Sequence, residues 1–195
     1  MSVKIQQVGP ESLPLYASVS IAYEVTSVYK VESVDSGLGG LVLEEQGVTP
    51  YIKDYDAQAQ GDDRPEGWAN QFDLSNWGFY LAMDREQAVG GAAVVLNTPE
   101  VHMLENRSDL AVLWDIRVQP EQRGKGIGWQ LFQHAAAWAR EQGCTQLKIE
   151  TQNVNVPACR FYIRQGCHLG AILRYGYAGC PQVAHEAMLL WYLDL

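Results

Sequence analysis

The stretch IRVQPEQRGKGIGWQLFQHAAAWAREQG, residues 116–143, carries the strongest indication of fold and function in this chain. Three glycines, Gly124, Gly126 and Gly128, stand directly before a helical pattern of apolar residues. Residues without side chains let a ligand approach the backbone closely, and the first amides of a helix point outward with the positive end of its dipole. This arrangement is typical of a phosphate-binding site.

Spacing excludes two familiar phosphate-binding motifs for this loop. The Walker pattern GxxxxGK[ST] is absent, and the dinucleotide pattern GxGxxG fails because Trp129 stands three positions after Gly126. A purely structural turn that is rich in glycine is the alternative interpretation. At this point both interpretations stay open.

Composition indicates one globular domain and limits the class of partner. The chain has 195 residues, of which 47% are hydrophobic and 19% are charged, so we expect a single domain over residues 1–195. The net charge of -9 disfavours nucleic acid as a partner, because binding to its phosphate backbone requires a basic surface. A cationic small molecule suits this charge better.

The sequence shows no targeting, membrane or metal-binding pattern. Its first residues, MSVKIQQVGP, lack the apolar segment of a secretory signal, and no run of about 18 apolar residues occurs. We therefore expect a cytoplasmic protein without a membrane span. The four cysteines form no CxxC pair and the four histidines show no HxxxH or HExxH spacing, so we expect reduced thiols and no metal.

Periodicity predicts a mixed α/β order of elements. Helical spacing occurs at residues 11–25 and again at 127–139, where Gly143 follows as a terminator. Residues 36–75 show little periodicity, which indicates a functional lid or short helical pieces. The predicted strands are a hairpin of residues 77–84 and 88–96, the buried segment 110–118, and the segments 146–151, 170–174 and 188–193.

A shorter helix is predicted after Asn155. Asn155 is a favourable cap, Pro157 lies in the first turn, and Gly166 stands just beyond the end. This helix begins about 27 residues after the glycine loop.

Both motifs together resemble one enzyme family. The loop Arg123-x-x-Gly126-x-Gly128 is similar to the R/Q-x-x-G-x-G/A loop of the GNAT N-acetyltransferases. The segment Asn155-x-x-Ala158-x-x-Phe161-Tyr162-x-x-x-Gly166 resembles that family's second conserved block. The resemblance covers residues 13–195. It implies an α/β (α+β) GNAT fold, in which a mixed central sheet of about six to seven strands is flanked by helices. It also implies that the two central strands are splayed to hold acetyl-CoA.

The resemblance also implies how acetyl-CoA is bound. In the family, successive loop amides hold the pyrophosphate, and amides where the central strand bulges stabilise the oxyanion. The implied cofactor-binding residues of this chain are Ile116, Arg117, Val118, Arg123, Gly124, Lys125, Gly126, Ile127, Gly128, Asn155, Ala158 and Phe161. Ile116 is the foremost candidate for the oxyanion donor, and Asn155 has a second role as helix cap.

Acetyl transfer to an amine requires a proton acceptor and a proton donor. Tyr162 occupies the family's position for the general acid, with a core aromatic beside Phe161 as the alternative. An alkyl ammonium has a pKa of about 10.4, so a base must take its proton. Glu150, at the end of a strand, is the first candidate and Asp115 the second. A surface or ion-paired carboxylate is the alternative for each.

Within the family, several segments are similar to streptothricin acetyltransferases, among them 51–56, 72–80, 89–118, 150–172 and 189–195. This similarity implies acetylation of an amine on a cationic antibiotic, and hence resistance. Residues 54–73 contain six acidic side chains against one basic, with aromatics interspersed, which suits an ammonium ligand. The proposed substrate-binding residues are Asp54, Tyr55, Asp56, Trp77 and Trp114. A merely solvated surface is the alternative.

Two other functions stay open on the sequence. One is a protein or peptide N-acetyltransferase of the same fold, and the other is a non-catalytic acyl-CoA-binding module. The resemblance also suggests a homodimer, because C-terminal strands often pair between subunits in this family.

Overall fold

The computed structural model describes residues 3–59 and 61–195. The chain divides into two units. The first unit comprises Met1–Tyr23, Asp54–Lys148 and Asp194–Leu195, and the second comprises Glu24–Lys53 and Ile149–Leu193. The expectation of a single domain over residues 1–195 stays a prediction.

The helices and strands are numbered here in chain order. The strands are β1 Lys4–Val8, β2 Tyr23–Ser33, β3 Leu41–Lys53, β4 Trp77–Asp84, β5 Gln87–Val95, β6 Leu110–Val118, β7 Gln146–Gln152, β8 His168–Leu173 and β9 Met188–Asp194. The α-helices are α1 Leu13–Ala17, α2 Tyr55–Gln58, α3 Trp68–Gln71, α4 Ile127–Glu141 and α5 Val156–Arg164.

The first unit is built on an antiparallel succession of strands in the order β1-β4-β5-β6. Strands β4 and β5 form the predicted hairpin, with Trp77 opposite Val95 and a turn in which Arg85 has a φ of 57°. Almost every residue of both strands is buried, because α1 packs against β5 and α4 packs against β4, β5 and β6.

A β-bulge interrupts strand β6. Ala93 of β5 lies opposite Asp115, but its neighbour Val94 lies opposite Leu113, which leaves Trp114 without a partner position. A bulge bends the strand and redirects the side chains next to it. The family resemblance associates the oxyanion-donating amide with a bulge of the central strand, and the bulge at Trp114 lies two residues before Ile116, the candidate donor.

Helix α4 lies close to the sheet because glycines replace side chains beneath it. A Cβ at Gly78 would lie 3.0 Å from the Trp138 ring, and a Cβ at Gly90 would lie 3.0 Å from Leu131 Cδ1. The helix ends at Glu141, and the predicted terminator Gly143 follows two residues later with a φ of +82°, in the left-handed region.

The second unit contains the remainder of β7, followed across the sheet by β9 and β8. Strands β8 and β9 are antiparallel, with Leu173 opposite Met188. Helix α5 follows β7, and Trp191 Nε1 of β9 donates to Thr151 Oγ1 of β7 at 2.8 Å. Strands β2 and β3 pair as a separate two-stranded sheet. Among the described residues, seven strands belong to the main sheet, so the predicted mixed sheet of a GNAT fold is confirmed.

One sequence-based expectation about the N-terminal half is wrong, and another is incomplete. The helix expected over residues 11–25 ends at Ala17, and Tyr23 already begins β2. The segment 36–75, expected to be a lid or short helical pieces, does contain short helices, among them α2 and α3, but it also contains β3, thirteen residues long. Most side chains of β3 are exposed and the strand includes Gly47 and Pro50, so it lacks the apolar alternation by which strands are recognised.

Candidate active site

The glycine loop, residues 123–128, follows β6 and opens helix α4 in the first unit, and its last two residues, Ile127 and Gly128, are the first two residues of the helix. Gly124 and Gly126 have φ values of +75° and +82°, and a Cβ built on either would meet no atom within 4 Å. Backbone conformation therefore requires these glycines, whereas packing does not. The space beside them is open, so a ligand can approach the backbone of the loop.

Helix α4 begins without a side-chain cap. Its cap residue is Gly126, which has no side chain to accept from the first helical amides, and Ile127 anchors the first turn by burying its side chain. Fifteen residues of helix stand behind these amides and add their dipole. The loop thus meets the chemical requirements for holding a pyrophosphate.

Two cations flank the loop. Arg123 is exposed, and its Nε donates to the carbonyl of Val118 at 2.9 Å. Lys125 is exposed and its Nζ donates to the carbonyl of Glu121 and to Gln122 Oε1, both at 2.9 Å. Both side chains keep donors in reach of solvent, as a phosphate-binding role requires.

The side chain of Arg117 takes a different direction from the one expected. Its side chain is only 2% exposed, and it forms a bidentate pair with Asp115 at 2.9 and 2.7 Å. A second pair joins it to Asp56 at 2.8 and 3.3 Å, and Nη1 also donates to the carbonyl of Val19 at 3.2 Å. All three guanidinium nitrogens are therefore engaged by protein, and only the main chain of Arg117 is left for a cofactor role.

Tyr16 completes this cluster, which we call the Arg117 network: Tyr16, Asp56, Asp115 and Arg117. The Tyr16 hydroxyl donates to Asp115 Oδ1 at 2.6 Å, and the guanidinium carbon lies 5.2 Å from the ring centroid. Gly91, which lies opposite Arg117 in the sheet, makes room for the ring, since a Cβ there would come within 2.5 Å of it.

Electrostatics hold the Arg117 network in one charge state. Burial opposes the charge of Arg117, but the Asp115 and Asp56 carboxylates outweigh it and raise the pKa of Arg117 above its ordinary value. Burial and the Asp115 charge together raise the pKa of Tyr16 well above 10, so its hydroxyl stays protonated. Asp115 is thus committed to two donors, which favours the ion-paired alternative over a role as proton acceptor.

The acidic segment before β4 also has structural partners. Asp54 caps α2, because its Oδ1 accepts from the amides of Asp56 and Ala57 at 3.0 and 3.3 Å. Asp56 binds Arg117 and keeps 24% of its side chain exposed. The Tyr55 hydroxyl lies 3.1 Å from the Tyr23 hydroxyl. Of the two carboxylates proposed for substrate binding, Asp56 therefore combines a protein partner with a solvent-facing side.

An aromatic cluster surrounds the bulge in β6. The Trp114 ring centroid lies 5.3 Å from that of Phe72 and 5.5 Å from that of Trp77. Trp77 is 7% exposed, and its Nε1 is buried with no hydrogen-bond partner among the described residues. Trp114 and Phe72 are half-buried. The faces that a ligand could reach therefore belong to Trp114 and Phe72, whereas Trp77 supports them from behind.

In the second unit, helix α5 carries the second motif. Asn155 Oδ1 accepts from the amide of Ala158 at 3.1 Å, so the predicted cap is confirmed. Tyr162 is buried, 4% exposed, with the ring of Phe161 at 5.2 Å in an edge arrangement. The burial of Tyr162 is compatible both with an enclosed proton donor and with the core-aromatic alternative.

Glu150, the first candidate for proton acceptor, lies near the C-terminal end of β7 and is half-buried. Its Oε1 accepts a hydrogen bond of 2.6 Å from the hydroxyl of Tyr177. Gln152 Nε2 in turn donates to that hydroxyl at 2.8 Å. Sequence reasoning missed Tyr177, because it lies in an aperiodic segment and no local pattern marks it.

Comparison with known proteins establishes the class of this chain. Its fold is a mixed sheet, and a glycine-rich loop opens a helix directly after a bulged strand. The sequence model of the acetyltransferase (GNAT) family matches residues 48–167, more than half of the chain. The chain therefore belongs to the GNAT family, and it is an acetyl-CoA-dependent acyltransferase.

Individual relatives of this chain have more specific names than the family as a whole. The chain is 28% identical to a streptothricin acetyltransferase of Escherichia coli over 183 residues, which cover 94% of this chain and 91% of the relative. Nourseothricin acetyltransferase superposes with a TM-score of 0.77 at 22% identity, covering 100% of this chain and 99% of that one. A Bacillus anthracis structure in complex with acetyl coenzyme A gives a TM-score of 0.74 at 23% identity, covering 100% and 98%. At these identities the two structures show a shared fold.

Three further features of the described residues concern membrane helices, metal ligands and thiols. No helix of the described residues is both long and apolar enough to cross a membrane. Within the same residues, no three His, Cys, Asp or Glu side chains are grouped as metal ligands would be. The four cysteines are free thiols, and burial raises the pKa of both Cys159 and Cys167 to about 11.

Proposed function

We propose that this enzyme transfers the acetyl group of acetyl-CoA to a primary amine of a small cationic acceptor of the streptothricin type, and so confers resistance. The observation that carries the proposal is the similarity to the Escherichia coli streptothricin acetyltransferase, which extends over 94% of this chain. A match of that extent includes the acidic and aromatic segment before β4 as well as the cofactor motifs. The negative net charge agrees with a cationic acceptor.

For the cofactor, we assign the pyrophosphate to the backbone amides of the glycine loop. The uncapped start of α4 and the open space beside Gly124 and Gly126 support this assignment. Arg123 and Lys125 add positive charge. The remaining cofactor contacts, implied by the family resemblance, fall on the main chain of Ile116–Val118 and on the residues of the second motif, Asn155, Ala158 and Phe161. When bound, acetyl-CoA supplies the acetyl group as an activated thioester.

For the proton transfers, we assign Glu150 as acceptor and Tyr162 as donor. An amine attacks only after its ammonium form has lost a proton, and Glu150 has a carboxylate oxygen with which to take it. The proton that the leaving sulfur needs is assigned to the Tyr162 hydroxyl. The main-chain amide of Ile116, two residues after the bulge, is the proposed donor to the oxyanion. Asp115 is the weaker base candidate because the Arg117 network already engages it.

For the acceptor, we assign the half-buried aromatic faces of Trp114 and Phe72 and the exposed side of Asp56. An ammonium group is attracted both by a carboxylate and by an aromatic face. Asp54, Tyr55 and Trp77 are proposed to support this surface, because Asp54 caps α2 and Trp77 packs behind Trp114.

A thiol-release assay tests the function. The purified chain is supplied with acetyl-CoA and, in turn, streptothricin, an aminoglycoside, a linear polyamine and short peptides, and kcat/KM is compared. We expect the highest value for streptothricin, with a KM that rises as salt is added, since screening acts over about 8–10 Å. Preference for a peptide would replace the proposal by peptide acetylation. Acetyl-CoA binding without turnover of any amine would favour a non-catalytic binding module.

A further inference from the structure

The first part of the loop between β8 and β9 (residues 174–187) has one side chain, Tyr177, that is directed inward. Residues 173–182 are all described, and in that stretch Tyr177 is half-buried while every neighbour is exposed. Tyr175, two positions earlier, is 77% exposed. Tyr177 therefore contacts Glu150 and Gln152, two polar residues near the end of β7.

The hydrogen bonds of Tyr177 have a defined direction. Gln152 Nε2 can only donate, so the Tyr177 oxygen accepts at 2.8 Å, and its own proton points to Glu150 Oε1 at 2.6 Å. Glu150 and Gln152 are two residues apart on one strand, and hence on the same face. An O–H to carboxylate bond of this length is typical of a strong, charge-assisted hydrogen bond.

The far end of the same loop is held independently. The ammonium of Lys53, on β3, forms a buried salt bridge with Glu186 Oε1, and both side chains are 3% exposed. The next residue, Ala187, donates its amide to Asn153 Oδ1 at 2.8 Å. Since this end is fixed without Tyr177, loss of the Tyr177 hydroxyl should change the Glu150 contact without releasing the whole loop.

We propose that Tyr177 is a positioning residue for acetyl transfer, which holds the carboxylate of Glu150 in the orientation in which it accepts the amine proton. This inference rests on the proposed role of Glu150. In the step, an N–H bond of the acceptor ammonium breaks and the proton goes to the second carboxylate oxygen, Oε2, while Tyr177 keeps its own proton on the bond to Oε1. The proton then leaves Glu150 to solvent. Gln152 orients the Tyr177 hydroxyl, and it therefore influences the Glu150 carboxylate only through Tyr177.

The experiment is a double-mutant cycle of Tyr177→Phe and Glu150→Gln, with Tyr175→Phe as the matched control in the same loop. The acceptor is streptothricin, or the panel amine with the highest kcat/KM if streptothricin is not turned over. We expect Glu150→Gln to lower kcat by about 10²–10⁴-fold. Tyr177→Phe should lower kcat by about 10-fold, with KM for acetyl-CoA unchanged, and Tyr175→Phe should equal wild type. In the Glu150→Gln background, Tyr177→Phe should change kcat by less than about twofold.

The outcomes separate this inference from the proposed function. A wild-type kcat in Glu150→Gln would overturn the role of Glu150 and, with it, that of Tyr177. An impaired Glu150→Gln combined with a wild-type Tyr177→Phe, or with fully additive effects, would overturn only the inference about Tyr177. If Tyr177→Phe does not fold, Gln152→Leu takes its place. A loss of kcat of about threefold that disappears in the Glu150→Gln background then supports the inference, and an additive loss contradicts it.

Discussion

Replacing Arg117 by Met distinguishes the role expected from the sequence from the role that the structure assigns. If the guanidinium held the cofactor, Arg117→Met would weaken acetyl-CoA binding and leave stability nearly unchanged. In the structure the side chain is 2% exposed and binds Asp115, which is itself only 10% exposed. The variant would leave that carboxylate in the interior without its countercharge.

The size of the effect follows from this burial. Removing one partner of a buried ion pair costs about 3–5 kcal/mol, because the other charge stays buried and uncompensated. For a chain of this length each kcal/mol lowers Tm by about 2–4 °C, so we expect a decrease of about 6–20 °C. Asp56→Asn should cost less, about 1 kcal/mol, since 24% of the Asp56 side chain is exposed and water solvates the pair.

The assay combines chemical denaturation with calorimetric titration of acetyl-CoA. Arg123→Met is the matched control, because Arg123 lies at the glycine loop and its Nε donates to a backbone carbonyl, that of Val118, so no buried carboxylate is left uncompensated. We expect this control to retain stability within about 0.5 kcal/mol and to bind acetyl-CoA less tightly. The reasoning is refuted if Arg117→Met keeps the wild-type free energy of unfolding and loses cofactor affinity.

Three further predictions concern other residues. Gly126→Val should abolish acetyl-CoA binding measured by calorimetry, whereas Gly143→Val, with the same φ of +82° but away from the loop, should lose comparable stability and keep its affinity. Tyr162→Phe should lower kcat by about 10–10⁴-fold and leave the Kd for acetyl-CoA unchanged, and an unchanged kcat would remove Tyr162 from the mechanism. The pKa of Tyr16 is raised in the fold by burial and by Asp115, so its stabilising contribution is complete below pH about 10 and is lost as pH rises further. The decrease in unfolding free energy between pH 9 and 11 should therefore be smaller in Tyr16→Phe, and an equal decrease would contradict this.

The sequence by itself determined the features that depend on neighbouring residues. The left-handed glycines before α4, the end of that helix before Gly143 and the cap formed by Asn155 all arise from interactions within about four residues. The hairpin of β4 and β5 follows from two apolar segments that are joined by a short polar turn. Because these features are local, the order of residues along the chain is enough to predict the family motifs and the mixed α/β class.

Only the tertiary structure decided which side chains meet. Asp56 and Arg117 are 61 residues apart, and Tyr177 lies 27 residues from Glu150. Whether such pairs form depends on strand register, and the bulge at Trp114 shifts that register by one residue, which no local pattern reports. Strand β3 escapes sequence-based prediction for a related reason: its exposed residues gain their order from pairing with β2 and carry no apolar alternation of their own. The Arg117 network and the contact of Tyr177 with Glu150 therefore belong to the fold, since long-range packing brings together charges that the chain keeps far apart.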